Sequence, residues 1–195
     1  MLTTTTPKIE GFVKITDRTT GEVLVDKKNA IHYENMSEAM ALSLANRPNG
    51  NIHQMVFGNG ASTTSGTGAI TYFPPNVTGA DARLYNQTYA KVVNDLSPLN
   101  IDRDENFIRI QHTANQVYSD IVITCVLGYS EPNGQEFFDD ATDNDGTYVF
   151  DELGLRAFDT IAENGKLLTH VVFHPIQKSL NREIEVVYTL RIFLT

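Results

Sequence analysis

Cysteine is nearly missing from this chain. Cys125 is the only one in 195 residues, which excludes an intrachain disulfide and a cysteine-rich zinc cluster. It lies in the apolar run Asp-Ile-Val-Ile-Thr-Cys-Val-Leu-Gly and reads as a buried, inert thiol. Tryptophan is absent. Positive charge is scarce, with 15 Lys and Arg against 24 Asp and Glu, a formal net charge of −9, and no basic run longer than Lys27-Lys28. Phosphate backbones are held by Lys and Arg, so nucleic acid is not expected as the main partner. No apolar stretch nears the ~18 residues of a membrane-spanning helix. The opening Met-Leu-Thr-Thr-Thr-Thr-Pro-Lys has no basic region followed by an apolar core, so no signal peptide is expected. Folding in a cytoplasm follows, which leaves later assembly into a particle open.

Catalytic signatures are missing as well. Gly58-Asn59-Gly60 lacks the further glycine and lysine of a phosphate loop, and Gly66-Thr67-Gly68 lacks the third glycine of a dinucleotide fingerprint. There is no Gly-x-Ser-x-Gly elbow, and no spacing of carboxylates singles out an acid and a base. The chain is expected not to be an enzyme and to need no cofactor.

What the chain does contain is strand periodicity. Ile9, Gly11, Val13 and Ile15 share one face, turn residues follow at 17–21, and 22–26 resumes as a strand, which makes a hairpin. Residues 35–46 read as a helix, capped by Asn35 or Ser37, with Met36, Ala39, Met40, Ser43 and Leu44 on one stripe and Pro48-Asn49-Gly50 at its end. Ile52 to Phe57 is apolar enough for a strand. Residues 81–94 read as extended or mixed, Phe107 onward alternates, and Ile121 to Leu127 is nearly all apolar, as in a strand covered on both faces. The last strand carries Ile184, Val186, Tyr188, Leu190, Ile192 and Leu194 on one face, while Val187 and Phe193 suggest cover on the other as well.

The predicted fold is therefore mainly β, a β-sandwich or open barrel with one or two short helices. A chain of this length buries roughly 70% of its extended surface and needs no staples. Residues 1–8 are expected as a flexible arm and 9–195 as a single β-rich domain with a long loop at 58–82. That loop holds Tyr72-Phe73-Pro74-Pro75-Asn76, either docking on a neighbour or folding back on its own body.

Two clusters invite a metal reading. His170 and His174 are four apart, but on a strand that places them roughly 13 Å apart, too far for one ion, so surface or interface histidines are expected. Asp143, Asp145 and Gly146 fit positions three, five and six of a calcium loop, with Glu152 at twelve. Ala141 takes the first ligand position and the flanks are strand-like, so a polar hairpin loop is the better reading.

Gly11-Phe-Val-Lys-Ile-Thr-Asp, then Gly21-Glu-Val-Leu-Val-Asp-Lys-Lys-Asn-Ala-Ile-His and Ile52-His-Gln-Met-Val-Phe-Gly-Asn-Gly, resemble the opening of structural proteins of tailed-bacteriophage virions. Phe150-Asp-Glu-Leu-Gly-Leu, Gly165-Lys-Leu-Leu-Thr-His and Phe173-His-Pro-Ile-Gln-Lys are similar to β-domains that attach tail fibres and collars. The resemblance implies a virion component of the neck, collar or tail-attachment region, assembled in the host cytoplasm. Its partners would be copies of itself in a ring and other phage structural proteins, with no membrane. The N-terminal arm, the Tyr72–Asn76 loop and the C-terminal strand, with Val187 and Phe193, are the candidate contacts. The alternatives are a fibre adaptor or host-binding module using Tyr72, Phe73 and Tyr129, and a capsid decoration protein.

Overall fold

The computed structural model describes residues 7–129, 131–132, 147–161, 164–179 and 181–194. In chain order the elements are β1 (Pro7–Asp17), β2 (Val23–Lys28), β3 (Ala30–Ile31), α1 (Tyr33–Leu44), β4 (Ile52–Gly58), β5 (Ser62–Thr64) and β6 (Ile70–Tyr72). There follow β7 (Gln87–Val92), β8 (Phe107–Gln111), β9 (Tyr118–Leu127), β10 (Thr147–Ala157), β11 (Thr169–Ser179) and β12 (Ile184–Leu194). The expected mainly-β fold with a short helix is what the structure has. Two five-stranded antiparallel sheets, β2-β1-β12-β9-β8 and β3-β11-β10-β4-β7, share one apolar core.

Period-two patterning builds that core. Val13 and Ile15 of β1, Ile123 and Cys125 of β9, and Val186, Tyr188 and Leu190 of β12 face Met55, Phe57, Leu153, Leu155, Val171 and Phe173 of the other sheet. Phe150 is the aromatic hub, edge-on to Phe57 at 5.5 Å and to Phe173 at 5.8 Å. Asp17 fixes the β1–β2 turn: its carboxylate accepts from the N–H groups of Thr19 and Thr20, at 2.7 and 3.1 Å, and from Arg182 Nε at 2.6 Å.

Several expectations change here. Pro7 and Lys8 belong to β1, paired with Leu194 and Phe193, so the strand takes in the last two residues of the expected arm. The 58–82 segment contains the β5–β6 hairpin. The helix cap is neither Asn35 nor Ser37. It is His32, whose Nδ1 accepts from the Asn35 N–H at 3.2 Å. Leu44, placed on the core stripe by spacing, is 86% exposed. The C-terminal strand β12 offers no edge, because β1 and β9 hydrogen-bond to its two sides.

Candidate functional site

The sheet containing β10 and β11 has a second covered face, away from the core, and the functional candidates meet there. Phe150 and Leu153 are three residues apart, yet both enter the core. Strict alternation forbids this, and a bulge allows it. The pairing jumps from Phe150↔Ile176 to Glu152↔Val172, so residues 173–175 stand opposite Asp151 alone. Pro175 lies in the shifted stretch, where its missing N–H forfeits no ladder bond.

The shift leaves two adjacent carboxylates to hold the covering segment. Asp151 Oδ1 accepts from the Ala61 N–H at 3.0 Å, and Oδ2 accepts from the Ser62 hydroxyl. Glu152 Oε1 accepts from the N–H groups of Asn86 at 2.8 Å and Gly60 at 3.2 Å, while Oε2 accepts from the Tyr85 N–H at 3.0 Å. His170 Nε2 completes the set, donating to Glu152 Oε2 at 2.9 Å, and the ring's Nδ1 accepts from the Asn76 N–H at 2.8 Å. That acceptor role fixes the tautomer, with the proton on Nε2. The side chains of Glu152 and His170 are both fully buried. Gly58 lies so close that a Cβ there would sit 2.5 Å from Glu152 Oε1.

The two carboxyl groups respond to burial in opposite ways. Burial raises the proton affinity of Asp151, outweighing its bonds to Ser62 and Ala61, and the Glu152 charge adds to the rise. Burial pushes Glu152 the same way, but the bonds from His170, Asn86 and Tyr85 overcome it and hold the group below its ordinary value. An acid–histidine pair suggests proton transfer, but both ring nitrogens here are committed to bonds within the protein. The arrangement instead pins residues 60–62, 76 and 85–86 onto the sheet. Arg156 extends this polar layer, its guanidinium donating to Gln54 Oε1 at 3.0 and 2.6 Å and to Gln87 Oε1 at 3.1 Å.

The pinned segment displays aromatic residues. Tyr72, Phe73 and Tyr85 are 46%, 38% and 43% exposed. Phe73 packs on Tyr85 with ring centres 5.3 Å apart, and the Tyr85 hydroxyl donates to the Pro74 carbonyl at 2.7 Å. Pro74 and Pro75 are exposed, whereas Asn76 is half-buried and donates from Nδ2 to the Arg83 carbonyl at 3.0 Å. The loop thus folds back on its own body while its aromatic crest stays open.

The remaining candidates are scattered. His170 is buried rather than at the surface, because the distant 76–86 segment covers it. His174 is exposed, and its Nδ1 lies 2.9 Å from the Tyr72 hydroxyl. Val187 is half-buried, and Phe193 packs on Tyr118 at 5.8 Å with the Lys8 ammonium 5.9 Å from its ring. Asp143 and Asp145 lie outside the described residues. Glu152 is no calcium ligand, because both its oxygens are taken by N–H donors inside the fold. Among the described residues no group of three or more His, Cys, Asp or Glu is placed to hold a metal ion. Tyr129 is exposed.

A second surface was not singled out by the sequence reading. At one end of the sandwich the sheets part around an apolar groove of about 530 Å³, lined by Ile9, Met36, Met40, Ile108, Ile121 and Ile192. Leu44, Leu96 and Ile110, which are 86%, 87% and 66% exposed, form its rim, and Leu99 and Ile101 stand exposed on the neighbouring loop. The spacing of Ile108 and Ile110 on β8 was a usable signal, since residues two apart share one face of a strand and both line this groove.

No family model, curated protein or solved structure matches the chain.

Proposed function

We propose that this chain is a structural component of a tailed-phage virion, part of the neck, collar or tail-attachment assembly, that works by associating with copies of itself and with other particle proteins. The observation that carries the reading is the apolar groove and its rim. A groove lined by side chains from β1, α1, β8, β9 and β12 lies beside protruding Leu96, Leu99 and Ile101. Hollow and knob on one molecule suit association of like subunits, which closes into a ring when the rotation between neighbours permits. The strand-and-turn resemblance supplies the particle class. The β8 edge is not offered for strand addition at Ile108, whose N–H is taken by Asp95 Oδ1 at 3.2 Å, so side-chain packing makes the contact.

A fibre-adaptor or host-binding role is the second reading, favoured by the exposed aromatic crest. Quantitative peptide mass spectrometry of purified particles of the encoding phage tests both readings against capsid decoration. The expected result is the chain in particles at the low copy number of a ring or fibre base. A copy number matching the head lattice would reassign it to decoration, and absence from particles would contradict the proposal.

A further inference from the structure

The aromatic crest hangs from two histidines of β11. At one end the Tyr72 hydroxyl lies 2.9 Å from Nδ1 of the exposed His174. At the other end the Asn76 N–H donates to Nδ1 of the fully buried His170 at 2.8 Å. Between them the Phe73 N–H is bonded to the Ala61 carbonyl at 2.8 Å, while Pro74 and Pro75 have no N–H to donate. Beyond Phe73, the Asn76 N–H is therefore the first backbone donor that ties the crest to the sheet.

The two histidine contacts meet an added proton differently. A hydroxyl both donates and accepts, so Tyr72 can face His174 in either charge state. A backbone N–H only donates. It needs the lone pair on His170 Nδ1, and an imidazolium has none. A proton taken up there from solvent points at the Asn76 N–H, and the bond becomes a contact between two donors. Nε2–H donates to Glu152 Oε2 at 2.9 Å in both states, so the ring stays fixed to β10 while the loop loses its hold.

The groups around the ring come from four directions. Glu152 and its neighbour Asp151 face it from β10, and the Glu152 charge favours an imidazolium. Lys27 of β2, whose ammonium donates to the nearby Val172 carbonyl at 2.6 Å, opposes it. The covering segment presents the Tyr85 ring at 5.8 Å, and β3 meets His170 through Ala30. Inside the closed fold the new Nδ1–H has no acceptor. His170, Tyr72, Phe73 and Pro75 all line an open groove of about 580 Å³, so lifting the loop lets water from that groove reach the nitrogen.

We propose that His170 is a proton-operated clasp: neutral, it holds the base of the aromatic crest on the sheet, and protonated, it releases Asn76 and loosens the crest. Histidine suits the task because its charge changes within the ordinary physiological range. The clasp acts on the crest alone and is independent of association through the apolar groove.

Nuclear magnetic resonance of the full, nitrogen-15-labelled chain between pH 8 and pH 5 tests this. The ring nitrogens of His170 report its tautomer and charge, and amide exchange is expressed relative to the free-peptide rate at each pH. The expected result is an Nε2–H tautomer at pH 8. As the ring becomes charged, protection of the Asn76 amide should fall at least tenfold, while Val186 and Tyr188 in the central strand β12 stay within twofold. His170→Gln should make Asn76 protection independent of pH, and His174→Gln should leave the loss in place. If His170→Gln does not fold, the wild-type titration decides alone. A charged His170 with Asn76 still protected, a ring that stays neutral to pH 5, or core amides that lose protection in step with Asn76 would each overturn the inference. So would the same pH-dependent loss in folded His170→Gln.

Discussion

Glu152 and Asp151 are neighbours on one strand, and their chemistry predicts opposite responses to neutralisation. Glu152 is held below its ordinary 4.5 despite burial, so its contribution to stability is complete above that value and fades as pH falls through its folded value. Glu152→Gln replaces one accepting oxygen with an N–H donor that faces the N–H groups the carboxylate accepted from, and should cost about 3 kcal/mol at pH 7. Most of that loss should disappear under acid conditions where the wild-type carboxyl is protonated. Asp151 is raised by burial, so it favours folding at low pH and loses that advantage as pH rises through its folded value. Asp151→Asn keeps an oxygen for the Ala61 N–H and should be neutral or stabilising at pH 7. Urea unfolding at both pH values checks the pair, and equal losses for the two variants would contradict the assignment. Cys125 supplies an independent check. Burial pushes its thiol up to about 12, so a disulfide exchange reagent at pH 8 should leave it unmodified in the folded protein and react fully in urea. Its inertness is legible from sequence because Ile121, Val122, Ile123, Val126 and Leu127 around it are apolar. The burial of Glu152 and His170 is not, since the cover comes from residues 76 to 86, remote in the chain.

At the level of elements, strands whose two faces differ are readable and those with two covered faces are less so. β12 shows its register in the spacing of Ile184, Val186, Tyr188 and Leu190, all buried against the other sheet. β10 does not, because its bulge breaks the alternation between Phe150 and Leu153; the odd spacing and Pro175 are the available hints. The helix position is legible from Met36 and Ala39, both buried, but its cap is hidden because histidine is not among the residues usually sought there. His32 performs two tasks. Nδ1 accepts from Asn35, and Nε2 lies 2.9 Å from the Gly79 carbonyl, so the same ring that starts α1 also ties down the loop after the aromatic crest. His32→Ala should therefore cost about 1–2 kcal/mol and speed amide hydrogen exchange both in the first turn of α1 and near Gly79. Faster exchange in the helix alone would show that the ring does not couple the two segments.

The whole molecule is a sandwich whose polar burial and apolar exposure are both misplaced relative to a simple soluble domain. Charged groups are sealed under a loop on one face, and isoleucines and leucines stand open at one end. The first arrangement holds an aromatic surface rigid, and the second leaves apolar area in contact with water, which the proposed self-association would cover. Strand periodicity foretold the fold class but not this second feature, because an exposed leucine and a buried one look alike in sequence until the sheets are assembled. Self-association through the groove end is the central claim. Sedimentation equilibrium of the wild type against Ile110→Asp and Leu96→Asp tests it most directly, since both positions are exposed in the single chain and tolerate charge without loss of fold. The account predicts a wild-type mass that rises with concentration to a closed multiple of 21.7 kDa, and monomers for both variants with unchanged melting. A wild type that stays monomeric at every concentration, or variants that assemble as it does, would contradict it.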